Sequence, residues 1–286
     1  MKNLASPKVI KEILEESGFK FSKSLGQNFL IDESVLDKMI AGSGIDENTN
    51  VIEIGPGFGT LTQRLCMNAK KVVAIEIDST AVPILEKNLE EFNNLKIIND
   101  DVLKCDLEKI IAEEFGGENI KIVANLPYYI TTPIIMHILE SRVKTDSLCI
   151  MIQKEVAQRI AAKPSTKDYG ALTVAVNYYS TPRLICNVPP SSFIPMPKVS
   201  SSVISLDIRK EPPVTLINEK GYFKVVKAAF GQRRKTLLNA LSNSCAIPLS
   251  KDEVLKVLTG CGIDEKRRGE TLSLEDFANI SNMIFS

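Results

Sequence analysis

The sequence predicts an α/β fold, in which helices cover both faces of a mostly parallel sheet with an antiparallel edge pair, followed by a small C-terminal all-helical domain. Three observations predict it. Short β-branched runs alternate with amphipathic stretches over the first two thirds of the chain, which is the order of a parallel sheet with crossover helices. Residues 181–188 and 202–209 have strand patterns without a good helix between them, so they fit an antiparallel pair. After Pro212 and Pro213 only helical patterns remain.

The individual elements follow from the spacing of their apolar residues. Short runs rich in Val and Ile predict buried strands at 51–54, 71–76, 95–99, 120–124 and 147–152, ahead of the edge pair. Apolar residues three and four apart predict helices at 33–41, 60–68, 79–92, 106–115 and 131–141, and in the C-terminal part at 220–230, 233–243, 251–259 and 274–285. We therefore expect a sheet domain over 1–209 and a helical domain over 210–286.

Composition excludes several classes of protein. The chain has 286 residues, 44% of them hydrophobic and 24% charged, which is typical of a globular protein of about two domains. No apolar run approaches the ~18 residues of a membrane-spanning helix, and Lys2, Pro7 and Lys8 interrupt the region where a signal peptide would be apolar. We expect a cytoplasmic protein without a membrane partner.

Cysteine and histidine content narrows the chemistry. The six cysteines are scattered without a C-x-x-C pair, and His137 is the one histidine of the sequence. A zinc site and a disulfide framework both lack ligands or partners at suitable spacing, so we expect reduced, mostly buried thiols and no metal. A Ser-His-Asp mechanism is disfavoured because His137 is the one histidine that could serve in it.

The zero net charge conceals an asymmetry along the chain. Residues 1–197 carry 21 Lys and Arg against 25 Asp and Glu, whereas residues 198–286 carry 14 against 10. Within the basic part, residues 222–240 contain five basic side chains and no acid. This pattern fits a phosphate-binding surface, although five basic residues are equally typical of a solvated helix face.

A strand, a glycine turn and a helix follow one another over residues 51–68. Such a turn brings backbone close to a ligand at the carboxyl end of a parallel sheet. Gly55, Gly57 and Gly59 do not match the G-x-G-x-x-G dinucleotide pattern, because Thr60 stands where its last glycine would be. Pro56 also lacks the N–H that a pyrophosphate would use. A ligand without phosphates is favoured over NAD, which makes a dehydrogenase a remote alternative.

Acidic residues follow the next two strands at matching positions. Glu76 ends the second strand, 21 residues after Gly55, where a carboxylate can accept both hydroxyls of a ribose. Asp101 follows the third strand and could accept from an adenine amine. Each acid alone could equally be a helix or turn cap. Three sites in register favour adenosine recognition.

Asn125-Leu126-Pro127-Tyr128 follows the fourth strand, beside the inferred ligand site. An exocyclic adenine amine is a poor nucleophile because its lone pair is delocalised, and acceptors for its N–H groups favour the reactive form. Asn125 Oδ1 and the Leu126 carbonyl are candidate acceptors, Pro127 shapes the turn, and Tyr128 can stack on an extruded base. The alternative is an ordinary turn that ends a strand.

Together these motifs resemble the S-adenosylmethionine-dependent N6-adenine methyltransferases, which implies a Rossmann-like class I methyltransferase sheet. Three further segments resemble the ribosomal RNA adenine dimethyltransferase family: KSLGQNFL at 23–30, FIPMPKV at 193–199 and FGQRRKTL at 230–237. The resemblance runs from about residue 20 to 275. One departure is Gly269, where the family usually has a bulkier residue.

The resemblance also implies a role for each site residue. S-adenosylmethionine would be bound by Gln27, Asn28 and Leu30 at its methionine end, by Gly55 and Gly57 through backbone, by Glu76 and Ile77 at the ribose, by Asp101 and Val102 at the adenine, and by Asn125 between cofactor and substrate. Phe193 would stack on the target base opposite Tyr128, in a catalytic set with Asn125, Leu126 and Pro127. Lys198, Arg233, Arg234 and Lys235 would contact RNA.

The implied reaction is dimethylation of N6 on two adjacent adenines near the 3′ end of small-subunit (16S) ribosomal RNA, during assembly of the pre-30S particle. Two alternatives stay open. One is the antibiotic-resistance branch, which methylates an adenine of large-subunit RNA, and the other is a non-catalytic, RNA-binding assembly factor. The sequence has no heptads or long apolar runs, so we expect a monomer.

Overall fold

The computed structural model describes residues 2–19 and 26–286 and divides the chain into two compact units. The first contains the chain up to Ala157 together with Pro182–Ile208, and the second contains Gln158–Thr181 and Arg209–Ser286. Within the described residues no helix combines the length and the apolar character that crossing a membrane requires.

A seven-stranded sheet forms the centre of the first unit and confirms the predicted fold class. Its strands are β2 (Asn50–Ile54), β3 (Lys71–Glu76), β4 (Leu95–Asn99), β5 (Ile120–Asn125), β6 (Thr145–Gln153), β7 (Ser180–Val188) and β9 (Ser201–Ile208). Their spatial order is β4-β3-β2-β5-β6-β9-β7. The first five are parallel and β9 is antiparallel to β6, so the last two strands lie at one edge, as predicted. The carboxyl ends of β2, β3, β4 and β5 therefore meet along one rim.

Helices accompany the strands of the first unit, and the last four before β6 each connect one parallel strand to the next. They are α1 (Pro7–Ser17), α2 (Glu33–Ser43), α3 (Thr60–Asn68), α4 (Val82–Asn88), α5 (Leu107–Phe115) and α6 (Thr131–Ser141), with α7 (Lys154–Ile160) after β6. The Asp32 side chain accepts from Val35 N to begin α2, and Asp106 accepts from Lys109 N to begin α5. The sequence predicts α4 over 79–92, which is too long, because Asp78 holds Thr80 in a turn and Pro83 occupies the first helical turn.

A second, two-stranded sheet was not predicted. Strand β1 (Phe29–Leu30) pairs antiparallel with β8 (Phe193–Ile194), with Phe29 opposite Ile194 and Leu30 opposite Phe193. The Ser192 hydroxyl reinforces the pair by donating to Asp32 Oδ2 at 2.7 Å. A strand of two residues is too short to show the alternation of apolar and polar residues from which a strand is predicted. This sheet fixes the backbone beside Asn28.

The second unit is helical. Its helices are α8 (Ala171–Tyr179), α9 (Glu219–Gly231), α10 (Leu237–Ser242), α11 (Lys251–Gly260) and α12 (Leu274–Ile284). Tyr169 and Tyr178 join Tyr222 and Phe277 in its core, and the Tyr169 hydroxyl donates to Leu272 O at 2.8 Å. Residues 158–181 thus pack with the C-terminal helices, so this unit includes more of the chain than the predicted 210–286.

Two local features of the second unit explain sequence details. The predicted helix 233–243 begins at Leu237, because Thr236 caps it by accepting from Asn239 N, so the basic residues Arg233–Lys235 precede the helix. Gly269 packs directly on α9: a Cβ there would lie 2.8 Å from Ala229 O. Glycine is therefore required at position 269, because a side chain there would collide with the backbone of α9.

Candidate active site

A cavity lies at the carboxyl ends of β2, β3, β4 and β5, within the first unit. The space between its walls, open solvent at the mouth included, is about 1090 Å³. The structure brings every residue predicted to bind the cofactor to its wall. These are Gln27, Asn28, Leu30, Gly55, Gly57, Glu76, Ile77, Asp101, Val102 and Asn125.

The glycine turn forms one wall. Gly55 and Gly57 have φ angles of 70° and 59°, in the left-handed region that side chains disfavour. A Cβ on Gly57 would lie 2.7 Å from a ring carbon of Phe29, whose ring stacks on Phe58 with centroids 4.1 Å apart. Gly57 is therefore required both by its backbone conformation and by this close approach.

Glu76 connects that turn to the end of β3. Its carboxylate accepts from Gly57 N at 3.0 Å and from Asp78 N at 2.8 Å. Burial raises the pKa of the Glu76 carboxyl, and the two backbone donors oppose the rise. Ile77 next to it is 51% exposed and forms an apolar surface of the cavity. These two bonds hold the Glu76 carboxylate in place at the cavity wall, where its oxygens can accept further hydrogen bonds.

Asp101 combines the two roles that the sequence left open. Its carboxylate accepts from Leu103 N at 3.1 Å, as a turn cap does, and lies 3.4 Å from Lys104 Nζ. The residue also lines the cavity, next to the buried Val102. The cap fixes the carboxylate at the rim and does not remove it from the site.

The segment before β1 provides a further part of the cavity wall. Gln27 donates to Asp78 Oδ2 at 2.7 Å, and Asn28 Nδ2 donates to Gly26 O at 2.9 Å. Leu30 is buried in the core of the unit. Lys23, Ser24 and Leu25 of the same motif lie outside the described residues.

The turn after β5 is held by bonds at both ends. Asn125 Nδ2 donates to Asn28 O at 3.0 Å, and Leu126 N donates to Met151 O at 3.1 Å. Pro127 O accepts from Thr131 Oγ1 at 3.0 Å and from Ile130 N at 3.3 Å. Since these donors occupy Pro127 O, Asn125 Oδ1 and the Leu126 carbonyl stay the acceptor candidates of the turn.

Aromatic residues at the cavity differ from the prediction. Phe193 is only 3% exposed, packs in the core beside Leu30, and is not among the residues of the cavity wall. Tyr128 lines the wall and is half-buried, whereas Tyr129, which the sequence analysis overlooked, is 59% exposed there. A place for Phe193 opposite Tyr128 is therefore not seen in this structure, because pairing with Leu30 turns Phe193 into the core.

Glu53 is a second residue that sequence reasoning missed. It lies in β2, is 1% exposed, lines the cavity, and its Oε2 has no hydrogen-bond partner among the described residues. Burial raises the pKa of the Glu53 carboxyl to about 8, with a smaller contribution from the nearby Glu76 and an opposing one from Thr62. A charged residue inside the run VIEI was the available signal.

The predicted RNA-binding residues fall into two groups. Lys198, in the loop before β9, and Arg234 and Lys235, before α10, are exposed. Arg233 instead donates to Lys167 O at 2.9 Å and Tyr169 O at 3.3 Å, and lies 3.6 Å from Glu270. Arg233 therefore holds together parts of its own unit.

Cys66 and Cys149 are buried and poorly suited to nucleophilic chemistry. All six cysteines are free. Burial raises the pKa of the Cys66 and Cys149 thiols to about 12, so little thiolate forms near neutral pH. No group of three or more potential metal ligands is found in residues 2–19 and 26–286.

Comparisons with known proteins agree with this geometry. A family model described as ribosomal RNA adenine dimethylase matches residues 18–285. Ribosomal RNA small subunit methyltransferase A of Alkaliphilus oremlandii is 54% identical, over 99% of this chain and 98% of its own. Its namesake from Clostridioides difficile is 49% identical over equal shares.

Solved structures are similar over most of the chain. A dimethyladenosine transferase from Plasmodium falciparum has a TM-score of 0.75 at 28% identity, covering 88% of this chain and 95% of its own. The 23S rRNA methyltransferase ErmE shares the fold, with a TM-score of 0.68 at 23% identity over 90% of this chain and all of its own. Because the family model matches nearly the whole length of this chain, the chain belongs to the ribosomal RNA adenine dimethylase family.

Proposed function

We propose that this protein transfers methyl groups from S-adenosylmethionine to N6 of two adjacent adenines near the 3′ end of small-subunit ribosomal RNA. The observation that carries the proposal is the fixed amide of Asn125. Its Nδ2 donates to Asn28 O at 3.0 Å, so its Oδ1 is the atom left to accept from an adenine amine. The segment before β1 and the turn after β5 thus together orient one acceptor, Asn125 Oδ1, at the cavity wall.

The charge of the cavity wall favours this cofactor over a nucleotide with phosphates. Glu76, Asp100 and Asp101 line it together with Glu53, whose raised pKa leaves it mostly neutral near pH 7, and none of the described lining residues is Lys, Arg or His. Such a wall repels phosphate and attracts a cation. Pro56 in the glycine turn also has no N–H for a phosphate oxygen. When bound, S-adenosylmethionine supplies a methyl group on a positively charged sulfur.

The residues of the turn act on the target base. Asn125 Oδ1 and the Leu126 carbonyl accept from the two N–H groups of adenine N6, which favours a pyramidal nitrogen with an available lone pair. Tyr128 stacks on the base, a contact of about 1–3 kcal/mol. N6 would form its bond to the methyl carbon as the bond from that carbon to sulfur breaks, so that S-adenosylhomocysteine is the leaving group and the surplus proton of N6 passes to solvent. Positioning and electrostatics supply most of the acceleration.

Relatives and exposed basic residues support the substrate class. The relatives that match over nearly their whole length are named for the small ribosomal subunit, and Lys198, Arg234 and Lys235 offer exposed cations for phosphates. We infer an assembling small-subunit particle as partner. We propose that the protein acts on this particle as a monomer.

Labelling tests the proposal directly. The protein is incubated with tritiated S-adenosylmethionine and small subunits from a strain that lacks the dimethyl mark, with large subunits as the control. We expect N6,N6-dimethyladenosine near the 3′ end of the small-subunit RNA. Label confined to large subunits would move the protein to the resistance branch, and cofactor binding without label on either subunit would favour an assembly factor.

A further inference from the structure

One hydrogen bond connects the turn after β5 to a distant strand. The Tyr128 hydroxyl and Ser201 Oγ are 2.7 Å apart, although 73 positions separate the residues in the chain. Ser201 is fully buried, and Tyr128 is half-buried on the cavity wall. Burial raises the pKa of the Tyr128 hydroxyl, so it stays a neutral group that can donate or accept.

The Ser201 end of this bond is rigid. Ser201 is the first residue of β9 and lies opposite Gln153 in the antiparallel pair with β6. Just before it, Ser200 O accepts from Lys154 N at 3.0 Å, and just after it, Ser202 Oγ donates to Asn187 Oδ1 at 2.9 Å. A short side chain on such a backbone has little freedom to move its hydroxyl.

The Tyr128 ring is thereby held at both of its ends. At the backbone end, Pro127 O is fixed by the bonds from Ile130 and Thr131. At the hydroxyl end, the bond to Ser201 restricts the swing of the ring about the Cα–Cβ bond, a freedom that a tyrosine with an unbonded hydroxyl would retain. A ring fixed before the base arrives does not lose this freedom on binding.

We propose that Ser201 is a positioning residue that fixes the direction of the long axis of the Tyr128 ring, and so holds the ring where it can stack on the target adenine. The inference rests on the proposed function, because it requires the base to be placed against Tyr128. Ser201 itself touches no reacting atom. Its effect reaches the reaction through one hydroxyl–hydroxyl bond.

Two single variants and their combination test the inference. Ser201→Ala and Tyr128→Phe remove the same bond from opposite sides, and Tyr128→Phe keeps the ring. We expect each to lower kcat/KM for small subunits by about 3-fold to 10-fold, the range of one net hydrogen bond. The double variant should lose no more than either single one, because only one bond is removed.

The matched control is Ser205→Ala. Ser205 is also buried in β9 and donates to Asp207 Oδ1 at 2.7 Å, away from Tyr128. We expect this variant to keep wild-type kinetics. A second readout is the fluorescence of 2-aminopurine placed at the target position in the RNA, which stacking on Tyr128 quenches. The quenching should weaken in both single variants and persist in Ser205→Ala.

The outcomes separate the two proposals. If the wild type labels small subunits while Ser201→Ala and Tyr128→Phe keep wild-type kinetics and quenching, only the positioning role is overturned. Losses that add in the double variant also overturn it, since independent effects would then be at work. If the wild type labels no small-subunit adenine, the proposed function fails and the inference fails with it. Melting temperatures distinguish a loss of fold in Ser201→Ala, in which case Tyr128→Phe alone decides.

Discussion

The two ends of the cavity are built in different ways. At the cofactor end, the glycine turn, Glu76 and Asp101 each follow a strand of the parallel sheet, and the sheet itself places them side by side. At the target end, Asn28 and Asn125 meet through one bond and Tyr128 meets Ser201 through another. These partners come from three distant parts of the chain.

The first end follows from the regular geometry of a parallel sheet, whereas the second depends on individual contacts between distant residues. Any parallel sheet brings its carboxyl ends together, so the cofactor end follows from strand order alone. The target end depends on the antiparallel pairs β1–β8 and β6–β9, which bring together residues far apart in the chain. Substitutions at the cofactor end should therefore change the affinity for the cofactor. Substitutions at the target end should change turnover.

The largest effect is expected at the target end, from Asn125→Ala. It removes the acceptor proposed for adenine N6, and loss of one such preorganised group costs about 10²–10³-fold in kcat. Single-turnover transfer to small subunits measures it. Asn119→Ala is the control, since Asn119 precedes the same strand at its other end and donates to the exposed Asp146. Wild-type turnover in Asn125→Ala would refute the assignment of the acceptor.

Glu53→Gln tests the buried carboxyl at the cofactor end. The folded protein holds the Glu53 proton up to a pKa of about 8, whereas the unfolded chain releases it near 4.5. Between these pH values the folded state binds more protons, so the stability of the wild type should fall as pH rises through this window. A tenfold change in proton affinity corresponds to about 1.4 kcal/mol, so the stability lost across the window is on the order of a few kcal/mol.

Urea unfolding at pH 5 and pH 8.5 measures this effect. Glu53→Gln should flatten the dependence, because its amide does not titrate. The exposed Glu90→Gln is the control and should behave as the wild type does. An unchanged pH dependence in Glu53→Gln would mean that another group is responsible.

Glu76→Gln should change cofactor affinity. The amide group cannot accept from both Gly57 N and Asp78 N, and it loses the charge proposed to bind the ribose. Hydrogen bonds to charged groups contribute about 1.5–3 kcal/mol, so KM for S-adenosylmethionine should rise about 10–100-fold with little change in kcat. Glu86→Gln, exposed on α4, is the control. A fall in kcat at constant KM would place Glu76 in the chemical step instead.

The smallest effects are expected outside the cavity. Arg234→Ala and Lys235→Ala should each reduce the slope of log affinity for RNA against log salt by about one per lost phosphate contact. Arg233→Ala should lower the melting temperature, because its guanidinium donates to Lys167 O and Tyr169 O. Filter binding over a salt series separates the two classes. A constant slope in the first two variants would make this segment a solvated turn.

Sequence predicted the parallel part of the sheet well. Strands β3 and β4 begin and end at the predicted residues, because each contains a short run rich in β-branched residues that is a signal by itself, although only β3 is buried. Glu76 and Asp101 could be identified for the same reason, since each stands at the end of such a run.

The missed features depend on contacts between distant residues. Helix α8 contains Val174 and Val176, whose β-branched side chains favour strands, and its burial with α9 in the second core overrides that preference. Burial of Phe193 requires β1, which no pattern within either segment reveals. The bonds of Arg233 to Lys167 and Tyr169 likewise exist only after folding, so a basic residue that supports its own unit resembled one that binds RNA.

The pairing of β1 with β8 also has a consequence for the order of folding. The bond between Asp32 and Ser192, which lies beside this pair, closes a loop of 160 positions, and contacts so far apart form slowly. During synthesis the chain completes β2 to β5 long before β8 exists. The wall that holds Asn28 against Asn125 thus gains its support late, and we expect nascent chains to form the part of the cavity made by the glycine turn, Glu76 and Asp101 before the part that includes Asn28.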